Sequence, residues 1–336
     1  GVLNSWMKHL NLFLSKRNGR FVKKIINYLK MKQIFYFILL IAGFSSIHSC
    51  KNLLDEDGNP LLDLNNTGGL NGPRALYREI TAKDTLAEYH YSGLLVSKVI
   101  TDSASITDIM YSGDKISQIS FNGFLDLDGN GKLDKDSVSY TQLFNYGNNS
   151  KLQTISENRS IFRRTPPVLP TDPPGPQTLL RKEKSLYRIV YNPATAKLDS
   201  IDMKNGVEVT GTPFAFTNYS KTAYSYTGDN VSKVIRHYGL VNNAPNKKYS
   251  YEYYAYDDQI SPFTLLPQAY KISRLLSTII NDKESLILSP NNPKRWSVTD
   301  LTVPIPVPVV KSTNYAYDLQ TYMTKGYGVN YIYKPQ

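Results

Sequence analysis

Residues 226–234 read YTGDNVSKV, and residues 91–99 (YSGLLVSKV) and 111–119 (YSGDKISQI) repeat the pattern. It runs tyrosine, hydroxyl residue, glycine, two variable residues, a β-branched residue, serine, a polar residue and another β-branched residue. Glycine with Asp or Asn supplies the positive-φ positions of a tight hairpin turn. Val231 and Val234 stand three apart, which breaks strict strand alternation and predicts either a bulge or an early strand start after the turn. Before the turn, Tyr224 and Tyr226 alternate with period two, as do Tyr251 and Tyr253 downstream. Looser copies stand at 146–152 (YGNNSKL) and 191–198 (YNPATAKL). The chain holds 26 Tyr against 12 Phe and 2 Trp. Tyrosine lays its ring on a sheet and keeps its hydroxyl wet, so the pattern predicts tyrosine ladders on a half-exposed sheet.

The fold class is therefore mainly β: an antiparallel meander of Tyr-rich hairpins forming a large twisted sheet, able to curl into an open barrel. Two stretches interrupt it. Residues 164–176 (RTPPVLPTDPPGP) cannot join a ladder and form a Pro-rich loop. Residues 263–288 space Ala269, Ile272, Leu275, Leu276, Ile279 and Ile280 at a helical period, predicting one short helix ending near Asn281-Asp282. Residues 303–308 (VPIPVP) read as an extended edge segment.

The tyrosine-and-turn pattern resembles the YD-type hairpin repeats of RHS-like proteins. More closely, with residues 254–263 (YAYDDQISPF), 288–293 (LSPNNP) and 315–323 (YAYDLQTYM), it resembles a family of tyrosine-rich outer-membrane lipoproteins. The chain departs from a YD repeat in carrying Leu319-Gln320 where glycine would turn. That family has no established activity, so the resemblance implies architecture and location only.

The 336 residues carry a formal net charge of +11. Residues 1–49 contribute eight basic side chains and no acidic one, so most of the excess belongs to the leader. The near-balanced remainder has no large field to draw it to phosphate backbones, and nucleic acid is not an expected partner. Residues 34–44 (IFYFILLIAGF) form an uncharged apolar run, too short for a bilayer span and of signal-peptide length. Ile47, His48 and Ser49 then lead to Cys50, the one cysteine of the chain. Together they look like the lipobox of bacterial lipoproteins, in which the cysteine is acylated and becomes the mature N-terminus. Acyl chains at about 0.8 kcal/mol per buried CH₂ would make the membrane the partner of Cys50. The expected organisation is a leader and signal peptide over 1–49, a flexible tether over 50–75, and one β domain over 76–336.

Residues 126–137 (DLDGNGKLDKDS) carry the best ligand motif. Asp126, Asp128 and Asn130 offer side-chain oxygens at positions 1, 3 and 5 of a calcium loop, with Gly131 at 6, the Lys132 carbonyl at 7 and Asp134 at 9. Ser137 replaces the bidentate Glu at position 12, so any Ca²⁺ site is weak. The alternative is a solvated hairpin turn. Catalysis finds little support: beyond the leader only His90 and His237 remain, and no G-x-S-x-G, Walker A or HExxH occurs. Asp257 and Asp258 are adjacent, and neighbours on a strand point to opposite faces. The expected function is a lipid-anchored envelope protein of non-catalytic binding or structural role, contacting a glycan or envelope protein. The alternatives are an adhesion lipoprotein and a polysaccharide hydrolase.

Overall fold

The computed structural model describes residues 74–166, 175–278 and 282–335. The chain divides into two units, 1–60 and 61–336, of which the first lies outside the described residues. Seventeen strands are described: β1 Arg74–Ile80, β2 Thr85–Ser92, β3 Leu95–Thr101, β4 Ser105–Ser112, β5 Lys115–Phe124, β6 Ser137–Tyr146, β7 Leu152–Arg164, β8 Gln177–Tyr191, β9 Leu198–Glu208, β10 Asn218–Thr227, β11 Asn230–Leu240, β12 Lys247–Tyr256, β13 Pro293–Asp300, β14 Val309–Ser312, β15 Ala316–Tyr317, β16 Met323–Gly326 and β17 Val329–Pro335. Each strand from β2 to β13 pairs antiparallel with the next, and β1 lies between β2 and β17. β15 and β16 follow β17 in the sheet, and the ladder stays open between β14 and β15. Arg74 and Ala75, placed in the tether by the sequence reading, lie in β1.

The repeats build this meander as their spacing predicts. Ser92 faces Leu95, Ser112 faces Lys115 and Thr227 faces Asn230 across two-residue turns. Gly93, Gly113 and Gly228 have φ of 61°, 65° and 57°, whereas Asp114 and Asp229 stay at negative φ. These are type II′ turns, which need positive φ at their first central residue only, so the Asp does not share that role. The register slips at Tyr91, Tyr111, Tyr146, Tyr191 and Tyr226. Ser97, Ser117 and Ser232 are the unpaired residues of the bulges in the three close copies. The Val231-to-Val234 spacing thus encodes the bulge.

The tyrosine hydroxyls correct the expectation that they stay wet. Tyr111 Oη donates to the Val96 carbonyl at 2.8 Å, Tyr146 to Ile116 at 2.9 Å, and Tyr256 to Val231 at 2.7 Å. Tyr91 donates likewise to Leu76 and Tyr226 to Leu198. In each of these five cases the acceptor belongs to the strand before, so these tyrosines latch their strands to the preceding ones along one end of the sheet. Burial pushes Tyr111, Tyr191 and Tyr226 up to about 12.

The helix is shorter than its apolar period predicts. α1 spans Gln268–Leu276, and a 3₁₀ turn covers Asp282–Leu288. Ser277 Oγ bonds back to the Arg274 carbonyl at 2.9 Å just past the last turn. Ser273 on α1 donates to Gln142 on β6, and Arg274 donates to Glu79 on β1 and Tyr89 on β2. Asp282 pairs with Arg236 on β11 at 3.1 Å. One helical insertion touches strands far apart in the ladder, so the sheet curls around it.

The two faces of the sheet differ in kind. Ile109, Ile119, Phe121, Val138, Tyr140 and Ile155 point inward and are buried. Asp108, Gln118, Asn122, Thr141 and Asn158 alternate with them on the outside. The outward positions of these strands are mixed, the polar side chains standing beside exposed Ile106, Met110 and Leu143. Thr165, Pro166, Gly175 and Pro176 flank the β7–β8 tip, and the rest of the Pro-rich loop lies outside the described residues. The VPIPVP segment connects β13 to β14, with Ile305 and Val307 exposed; the sheet edge itself is β14.

Candidate metal centre

Residues 125–136 join β5 to β6 at the end of the sheet opposite the tyrosine latches. The register closes from Phe124 to Ser137, and the twelve intervening residues fold on themselves through carboxylates. Asp126 accepts Asn130 N at 3.0 Å on one oxygen and Gly131 N at 2.7 Å on the other. Asp128 also accepts Asn130 N, and Asp134 accepts Leu127 N at 2.7 Å. Gly129 and Gly131 stand at φ 74° and 87°, the left-handed region that lets so short a loop reverse.

The outcome is convergence. Asp126, Asp128 and Asp134 each bring one carboxylate oxygen within 4.8 Å of the other two. Calcium takes oxygens at 2.3–2.6 Å, so ligands across the ion stand up to about 5 Å apart, and this donor set fits that geometry. Asn130 Oδ1 accepts Lys132 N at 2.9 Å, which aligns the chain at positions 5 to 7. Ser137 Oγ accepts from Gln177 on β8 and takes no part in closing the loop. Asp136 is held by a two-pronged contact with Arg163, which draws its carboxyl below the usual range, so it too is committed elsewhere. No EF-hand helices flank the loop; its neighbours are strands.

Other candidates separate. His90 and His237 lie on β2 and β11, among outward positions. Asp257 accepts from Gln259 N, Asn292 N and the Tyr317 hydroxyl, fastening the end of β12 to the segment before β13. Where glycine is missing at Leu319-Gln320, Thr321 takes φ 69° and Asp318 accepts Gln320 N and Tyr322 N. Ile47, His48, Ser49 and Cys50 lie outside the described residues.

Sequence reading missed the polar interior. Ser273 donates to Gln142 Oε1, Gln142 Nε2 donates to Glu157 at 2.7 Å, and Arg159 Nε donates to Glu157 at 2.9 Å. This chain runs from helix to sheet in the core. Its signal was present in residues 155–161 (ISENRSI), where period two puts Glu157 and Arg159 on the face of Ile155 and Ile161.

Comparison of the sequence with family models and with curated proteins finds no match. Among solved structures, a porin-like protein from Bacteroides vulgatus is similar at 11% identity, covering 78% of this chain and 98% of its own, with a TM-score of 0.41. A porin-like protein from Bacteroides uniformis matches at 9% identity over 66% of this chain and 96% of its own, with a TM-score of 0.19.

Proposed function

We propose that this is a lipid-anchored envelope protein of the outer membrane, with a non-catalytic binding or structural role and a weak Ca²⁺ site in its β5–β6 loop. The observation that carries the anchor is the place of Cys50, the one cysteine in the chain, directly behind the apolar run 34–44 and the lipobox-like Ile47-His48-Ser49. The polar side chains among the outward strand positions support the reading, because such a body rests in water beside a membrane while acyl chains hold it there. The residues between Cys50 and Arg74 are then a tether of about two dozen residues entering at the tyrosine-latched end. Metabolic labelling with an alkyne fatty acid in a bacterial host tests the anchor. Wild type is expected to take label and fractionate with the outer membrane, and Cys50→Ala to take none. Label retained by Cys50→Ala, or absent from wild type, would refute it.

A further inference from the structure

A cavity of about 450 Å³ opens inside the curl between β7 and β12, at the end that carries the Asp126 loop. Strand alternation builds it: Arg159 and Ile161 on β7, Ser185 and Tyr187 on β8, Met203 and Asn205 on β9, and Arg236 and Tyr238 on β11 all point inward. The end of α1 supplies an apolar wall through Leu276.

The deepest charged groups are two arginines, Arg159 and Arg236, 7% and 5% exposed. Their counter-ions hold them from behind. Glu157 takes Arg159 Nε, and Asp282 takes one terminal nitrogen of Arg236. Neither acid lines the cavity. Among the described residues, the terminal nitrogens of Arg159 and the Nε of Arg236 have no hydrogen-bond acceptor in the protein. Arg181 and Lys247 add two cations at the rim, and Glu183 adds one carboxylate, paired with Arg181. With Glu157 and Asp282 included, four cations meet three carboxylates, so one positive charge remains unbalanced. Arg159, clamped through Nε with its terminal nitrogens lacking an acceptor, is preorganised for a planar oxyanion, while the Arg236 Nε is enclosed and Arg236 adds its charge from behind.

We propose that this cavity binds a small organic monoanion: one carboxylate on a ring or chain of monosaccharide to disaccharide size, its head toward Arg159 and Arg236 and its body against Tyr187, Met203 and Leu276. The assignment gives the binding role a ligand class and does not depend on the anchor at Cys50, so either can fail alone.

Methionine provides a native reporter. Met203 lines the cavity, Met110 faces outward from β4 at 56% exposure, and Met323 is buried on β16. The full chain in detergent, labelled with [methyl-¹³C]methionine, is titrated with galacturonate, decanoate, methyl galactoside and inorganic sulfate. Saturable shifts of the Met203 methyl with galacturonate or decanoate, and still methyls at Met110 and Met323, are expected; which acid binds more tightly tells sugar from acyl chain. Arg159→Gln should weaken that binding at least tenfold. The proposal is overturned if neither acid moves Met203 at millimolar concentration. It is equally overturned if methyl galactoside or sulfate binds as well as the acids, or if a folded Arg159→Gln binds unchanged.

Discussion

At the scale of single residues the Asp126 loop is a set of carboxylates held by their own backbone. Asp126 anchors two amides and Asp134 a third, so the oxygens stay together with no flanking helix to brace them. Three like charges this close repel one another, and a divalent cation relieves that repulsion. Asp128→Asn removes one formal charge while keeping an oxygen at position 3. It is expected to lower Ca²⁺ affinity at least tenfold in a calorimetric titration. Asp136→Asn, two positions beyond Asp134 but bound to Arg163, should leave the affinity unchanged. Equal effects from both would show that bulk negative charge draws the ion and that the loop is no site. The motif was legible because spacing alone fixes which oxygens meet. The commitments of Ser137 and Asp136 were not, since their partners Gln177 and Arg163 lie 40 and 27 residues away on other strands.

Between elements, the contacts that decide the interior are polar. α1 and the 3₁₀ turn are tied to the sheet by Arg274 with Glu79, Ser273 with Gln142, and Asp282 with Arg236. Burial pushes the Asp282 carboxyl up, and the Arg236 guanidinium opposes that shift. Arg236→Met keeps the volume but strands Asp282 in the core, which costs about 3–5 kcal/mol for a broken buried pair. The expected result is a large drop in the urea midpoint at neutral pH. Because Asp282 would then fold more readily protonated, the variant should recover stability as pH falls toward the carboxylate range. Adding Asp282→Asn should restore much of the loss; no recovery by either route would mean that Arg236 matters for packing alone. Hairpins, turns and bulges were readable from the YTGDNVSKV repeats because a turn and its bulge are local. The curl around α1 was not, because it rests on pairings such as Ser273 with Gln142, 131 residues apart.

Over the whole molecule, the tyrosines turn a sequence repeat into a pH limit. Burial raises the hydroxyls of Tyr111, Tyr191, Tyr226, Tyr270 and Tyr327 to about 12, against about 10 in the unfolded chain. Above pH 10 the unfolded chain gives up protons that the folded one keeps, so stability is full below that point and falls as pH rises through the window from 10 to 12. Tyr270, fully buried against α1's neighbours, adds a slope of about 1.4 kcal/mol per pH unit. The half-exposed latch tyrosines add less each, because water screens them. A folding free energy of about 5–15 kcal/mol is exhausted within that window once several act together. The protein is therefore expected to unfold cooperatively between pH 10 and 12, with tyrosinate absorbance and loss of β circular dichroism rising on one curve. Gradual tyrosinate formation well below the circular dichroism transition would mean that the hydroxyls are wet after all, and that the latches do not hold one repeat to the next.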